Sequence, residues 1–518
     1  MSSETTSHSS AGLQAREQLK ASTTASEKEC VATPFDQDLE SGESVKCQGN
    51  VTDPDVVDWD GPDDPENPMN WPQHRKVINI GLISLFTLLT PLASSIFAPA
   101  VDLVMDDFNN TSQELASFIV SIFLLGYCFG PLIIAPLSEV QGRVRLYHVC
   151  NILFVVWTIA GALSPNIAAL LAFRFLAGLA GSCPLAIGAG TIADMTPQAD
   201  RGKYMAAWIF GPIWGPIIGP VAGGYLSEAL GWRWSFWLVA IVTGAAIIAS
   251  LFLLKESYAA VILQRKTVHL QQETGNTKLR SKLDSNLTKK EIFSLAIFRP
   301  IKMLFCSPVT FIMALYLAFT YGQVYTLLTA LGFVFDTAYG FNTGEIGLTF
   351  LGFGIGSVIG LGIVGVCSDR LMKYLVKRNG GKALPKYRLP FCLLGGILTP
   401  VGLLWFGWTA DQRSQWMVPI IGTGVFGVGA IFTMTSVQTY LVDSFEQYAA
   451  SAIAANMVFR SLVGALLPLS GRKLFESLGI GWGNSLLAFI GIALIPFPLA
   501  LYEYGERIRH KTLFGVRL

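Results

Sequence analysis

The chain has 518 residues, of which 52% are hydrophobic and only 14% charged, with a mean hydropathy of +0.48. Soluble proteins carry about 25% charged residues, so this composition excludes an ordinary water-soluble domain and points to a bilayer. A net charge of +1 excludes the strongly basic surface that a nucleic-acid partner requires.

The first 74 residues hold fifteen acidic against four basic side chains, with little apolar clustering. Such a segment buries too little surface to offset its ordering entropy, so a disordered acidic tail is expected over 1–74. Trp59 and Trp71, near its end, are placed to anchor it at headgroup level. No apolar stretch follows a basic start, so no cleaved signal peptide is expected and the first membrane helix would direct insertion.

Twelve apolar runs follow, each close to the roughly 20 residues that cross a bilayer as a helix. Six lie near 77–99, 115–137, 146–163, 168–190, 204–226 and 232–254, within a first half over 75–254. A polar central loop is expected at 255–307. Six more runs lie near 308–332, 345–367, 389–408, 416–440, 448–470 and 482–502, within a second half over 308–504. A short tail, 505–518, ends the chain. The expected fold is therefore an all-α integral membrane protein, with twelve transmembrane helices arranged as two six-helix bundles.

Lys and Arg collect in alternate loops: Arg143 and Arg145, Arg201 and Lys203, ten from Lys255 to Lys302, and seven at 368–389. Arg507, Arg509, Lys511 and Arg517 follow in the last tail, while the remaining loops hold only Arg233, Arg413, Arg472 and Lys473. The positive-inside rule then places both termini in the cytoplasm. On the outer side, Asn109-Asn110-Thr111-Ser112 carries two overlapping glycosylation sequons. Eight cysteines show no CxxC or Cys/His spacing, so neither a disulfide framework nor a metal site is expected.

Span five contains GPIWGPIIGPVAGG. Gly211, Gly215, Gly219 and Gly223 recur every fourth residue, with Pro212, Pro216 and Pro220 one step on and Gly224 closing the stretch. On a helix the glycines stack as one bare ridge that admits another backbone closely. Interior prolines cost ~3 kcal/mol in a soluble helix but are tolerated in membranes, where neighbours re-satisfy the freed carbonyls. The halves also echo each other. Ser138-Glu139 through Arg143 follows span two, and Ser368-Asp369-Arg370 follows span eight, the matching position.

These stretches resemble the major facilitator superfamily and, more narrowly, fungal drug:proton antiporters of the DHA1 type, over roughly residues 56–510. Gly130-Pro131-Leu132 through Ser138-Glu139 to Gly142-Arg143 is similar to the family's loop signature, with Ala135 where many members have Gly and Val144 where a second base is common. The resemblance implies that Glu139 and Arg143, with Asp369 in the second half, latch the halves on the cytoplasmic side. Phe173-Arg174-Phe175 implies a membrane-embedded Arg174 in proton coupling. The glycine–proline stretch is similar to the motif that marks exporters. Trp232 to Trp237, Phe298-Arg299-Pro300, Tyr339-Gly340-Phe341, Gln438 to Asp443 and Ser451 to Ser461 also look family-like. Before span nine, where relatives often carry an acid, this chain has Pro385-Lys386-Tyr387-Arg388.

A substrate held near the midplane would meet polar and aromatic side chains at mid-span. Candidates are Tyr127, Trp208, Phe210, Trp214, Tyr316, Tyr321, Gln323, Tyr325, Gln438, Asn456 and Arg460. No Asp or Glu stands at central depth; the centre instead offers Arg174 and Arg460, one from each half. Two cations disfavour cationic substrates and suit neutral or anionic amphiphiles. The expectation is a proton-coupled exporter of drugs or secondary metabolites in the plasma membrane, acting as a monomer with substrate, protons and the lipid bilayer as partners. A nutrient uptake symporter is the alternative, and a non-transporting receptor the remote one. With no catalytic, metal-ligand or phosphate-loop constellation, neither an enzyme nor a cofactor is expected.

Overall fold

The computed structural model describes residues 55–197, 201–283, 289–380, 384–445 and 449–509. Its first six membrane helices are Gln73–Ser95, Gln113–Gln141, Arg143–Ala162, Ile167–Met195, Arg201–Leu230 and Arg233–Leu253. The second half begins with Pro308–Tyr339, Thr343–Arg378, Leu389–Asp411 and Met417–Ser444. Among the described residues eleven helices are long and apolar enough to cross a bilayer, the last running from Ser451 to Gly505. That one turns at Gly479, whose φ of 80° and ψ of 164° are not helical. It is two spans, so the expected twelve are present.

Local chemistry sets several boundaries. Ser112 caps span two through the Leu115 amide, Asn342 and Glu345 form a reciprocal capping box on span eight, and Gly340 ends span seven at a φ of 68°. Each half combines parallel pairs, such as spans one and five or eight and ten, with antiparallel ones, such as three and six or nine and ten. The halves meet unevenly, however. On the face opposite the central segment they share one apolar core, with Phe97, Val104 and Ile119 from the first half and Leu331, Phe335 and Phe350 from the second. On the central-segment face each half has its own core, around Ile83, Tyr147 and Ile187 in the first and Met313, Leu389 and Val437 in the second.

Residues 1–54 of the expected disordered tail lie outside the described residues, but the stretch up to 74 is not the unstructured segment its composition suggested. Strand β1 (Val56–Val57) pairs in parallel with β2 (Arg280–Ser281) from the central segment. Lys282 bridges to Asp58 at 2.6 Å, and Lys266 to Asp60 at 2.6 Å. The Lys282 ammonium holds the Asp58 carboxyl below the usual carboxylate range. Trp71 is buried in the first half's own core. The acids that read as a solvated run are partnered by lysines some two hundred residues away. The central segment is likewise not a plain loop, since it holds two helices, Ala259–Thr274 and Lys289–Cys306.

Candidate functional site

Span five is a helix with two working faces. Its ridge of Gly211, Gly215, Gly219 and Gly223 lies on span one, within the same half. A β-carbon at Gly211 would stand 2.7 Å from the Leu88 amide, and one at Gly215 equally close to the Leu92 amide. Its other face crosses to the second half. Gly224 lies against Thr343 and Gly344, Pro220 against Gly347, and Ile217 against Gly354, all on span eight. Glycine therefore answers backbone on both sides, and close helix approach is what such small residues permit. Glu228, just beyond, accepts a hydrogen bond from the Gly344 amide at 3.0 Å. Arg472–Asp102 at 2.9 Å and Lys473–Glu114 at 3.6 Å close the same face across the halves. The contacts of Gly224 and Glu228 and these two ion pairs lie at the span ends opposite the central segment.

Below this closed face, groups from spans one, two, seven and eleven converge. The Tyr321 and Tyr325 rings are 5.1 Å apart, and the Tyr325 hydroxyl stands 3.4 Å from Ser94 Oγ of span one. The Arg460 guanidinium lies 5.0 Å from the Tyr321 ring centroid, in cation–π range. Tyr127 of span two is buried in the same apolar core as Tyr325, against which Tyr321 packs. Asn456 Oδ1 and Arg460 Nε are buried without a hydrogen-bond partner among the described residues. Buried polar atoms rarely stay unpaired, so such a group of donors and acceptors is suited to receive a polar or charged molecule.

Other expected lining residues stand elsewhere. Gln323 donates to the Leu487 carbonyl at 2.9 Å, inside the second half. Trp208 donates to the Pro184 carbonyl at 3.3 Å, inside the first. Tyr316 is buried in the second half's own core. Trp214 stacks on exposed Phe210 with centroids 4.9 Å apart, and Gln438 is half-buried on span ten. Asn109 is exposed at a φ of 49°, whereas the Asn110 side chain accepts from the Ser112 amide.

Arg174 is 2% exposed, and its geometry is that of a clamp. Nε donates to the Ile119 carbonyl at 2.7 Å, Nη1 to Ala93, and Nη2 to Ser94 at 3.0 Å and to Val120. Ala93 and Ser94 close span one, where the last carbonyls lack helical donors and the helix dipole favours a cation. The guanidinium carbon sits 4.0 Å from the Phe97 ring centroid, with Phe123 and Phe236 beyond.

On the central-segment face the halves repeat one device. Arg143 donates to Asp194 at 3.1 Å and to Ser138 Oγ at 2.7 Å. Arg388 donates to Asp443 at 3.0 Å and to Ser368 Oγ at 3.3 Å. Each set ties the ends of three spans within its own half. The expected latch between halves through Glu139 and Arg143 is not made here: Arg143 is turned to Asp194. The Asp369 side chain lies outside the described residues. Arg388 supplies the second half's charge pairing, which the missing acid before span nine had left open.

Sequence reading missed Glu256, just after span six. Its carboxylate accepts from the amides of Arg143 and Val144 at 3.0 and 3.2 Å, capping span three in place of a local side chain. The approach passes over Gly142, whose φ is 93° and whose β-carbon, if present, would overlap Glu256 Oε2. Gly142→Ala is expected to cost ~1–3 kcal/mol through strain and a displaced cap. The check is the melting temperature of purified protein in detergent, and an unchanged value would rule out this role for the glycine. The only available signal was an acid immediately following an apolar span.

Two duplicated helical halves around a polar cluster define a membrane transporter. The sequence profile of the Major Facilitator Superfamily matches residues 83–468. The chain belongs to that superfamily. It is 56% identical over 499 residues to the MFS-type transporter penM of Penicillium rubens, covering 96% of this chain and 97% of that one. It is 47% identical over 467 residues to the efflux pump radE of Floropilus chiversii, covering 90% and 87%. Among solved structures, the proton:xylose symporter XylE superposes with a TM-score of 0.61 at 16% identity, covering 86% of this chain and 98% of that chain. At that identity the likeness shows the fold alone.

Proposed function

We propose that this protein is a proton antiporter of the DHA1 type that exports small amphiphilic organic compounds, neutral or anionic, from the cytoplasm. The observation that carries the reading is the cluster of Tyr127, Tyr321, Tyr325 and Arg460, set between the halves with Asn456 Oδ1 and Arg460 Nε awaiting partners. Aromatic walls take the apolar body of a substrate, and Arg460 takes a carboxylate or phenolate. The positive-inside pattern puts the central-segment face in the cytoplasm, and the apolar core shared by the halves closes the opposite, outward side. Rocking the halves about the cluster would exchange the two states, and the central-segment charge sets, including Glu139 and Asp369, would meet their partners in the other state. The protein works as a monomer in the plasma membrane. The likeness to radE, an efflux pump, supports the direction.

The test is uptake into proteoliposomes under an imposed pH gradient, screened over aromatic acids and their neutral esters. Accumulation that ignores the gradient would overturn proton antiport. Arg460→Gln is expected to lower kcat/KM for an anionic substrate about ten-fold or more, since a charge-assisted hydrogen bond contributes about 1.5–3 kcal/mol. The neutral ester should change far less. Equal losses for acid and ester would remove the anion-binding role.

A further inference from the structure

The second central helix, Lys289–Cys306, is too charged to be one of the spans, yet it shows an apolar face to its surroundings. Phe298 is 67% exposed, Phe305 60% and Ile301 38%. Spacings of three and four residues put the three side chains on one stripe of the helix. The opposite stripe is buried: Pro300, Met303 and Leu304 turn inward, with Met303 in the second half's own core and Leu304 beside Ala455. The helix lies against spans seven and eleven of the second half and against span two of the first. It leads directly through Ser307 into span seven, so it sits at the level where a span leaves the bilayer. Phe252, at the central-segment end of span six, is likewise 80% exposed. Exposed Arg299 and Lys302 flank the apolar stripe.

We infer that this helix is an in-plane anchor that binds anionic phospholipid of the leaflet on the central-segment face. Phe298, Ile301 and Phe305 enter the acyl boundary, and Arg299 and Lys302 reach the headgroup phosphates and carboxylates. An apolar stripe bordered by cations is the composition that favours a charged lipid surface over water. The exposed aromatic and aliphatic side chains favour the acyl boundary, and the cations select for negative lipid. Because the helix contacts both halves, the bound lipid would sit beside the groups that move against each other.

The test places p-benzoylphenylalanine at position 298, and separately at 305, in the full-length protein. The protein is reconstituted in nanodiscs of phosphatidylcholine with a minority of phosphatidylserine. After irradiation, adducts are identified by mass spectrometry. The expected result is lipid adducts at both positions, with phosphatidylserine enriched several-fold over its mole fraction. Adding Arg299→Gln and Lys302→Gln should abolish the enrichment and keep the adducts. Adducts only to a second protein chain, or none, would overturn the anchor. Adducts in proportion to mole fraction would overturn the anionic preference.

Discussion

Valine at Gly223 is expected to remove nearly all folded protein from the membrane, whereas valine at its neighbour Gly224 leaves the protein folded but inactive. The two glycines face different halves. A β-carbon at Gly223 would overlap the Ile96 carbonyl oxygen at the end of span one, inside the first bundle. No rotamer relieves a clash with backbone, so spans one and five must separate along their glycine seam. That is a core overpacking of at least ~3 kcal/mol, at the upper end of its usual range. At Gly224 the added atom would meet the Thr343 carbonyl at 2.6 Å, across the halves. The bundles can part there without unfolding, so the cost falls on one conformational state. A bias of ~1.4 kcal/mol shifts a two-state equilibrium ten-fold. Size-exclusion profiles of a fluorescent fusion, together with export assays, check both outcomes. If the two variants fold equally well, the assignment of one face to each half is wrong.

The second large effect concerns Arg174. Replacing it with methionine should lower stability by ~3–5 kcal/mol, because it strands buried carbonyls at the end of span one and leaves an aromatic cage without its cation. Arg174→Lys should recover only part of this. A single ammonium cannot reach Ile119 on span two and Ser94 on span one as the planar guanidinium does. Thermal melts of the purified variants measure the loss, and transport at two pH gradients measures coupling. A lysine variant that melts like the wild type yet transports without regard to pH would replace the clamp with a direct coupling role.

Several elements were legible from the residues because their causes are local. Span number and the duplicated layout followed from apolar run length, and the cost of polar groups at mid-span marked Tyr127, Tyr321, Tyr325 and Arg460 as a set worth locating. Gln323 shows the limit: polarity marked it, but only packing shows its amide turned to Leu487 in the second half and away from the cluster. Glu256 was invisible for the converse reason. Its exposed-looking position after a span gave no hint that the turn at Gly142 brings two amides to its carboxylate.

The sequence alone determined that the chain lives in a bilayer, that it is built twice over, and that span five must lie against other backbones. Those properties are counts and periods along one chain, set by the solvent around each helix. Tertiary structure alone decided what each feature is for. It turned the acids at 58 and 60 into partners of Lys282 and Lys266, gave Arg143 and Arg388 their carboxylates, and divided neighbouring glycines between two halves. Such pairings depend on which helices come to lie side by side, and that is fixed by packing across hundreds of residues.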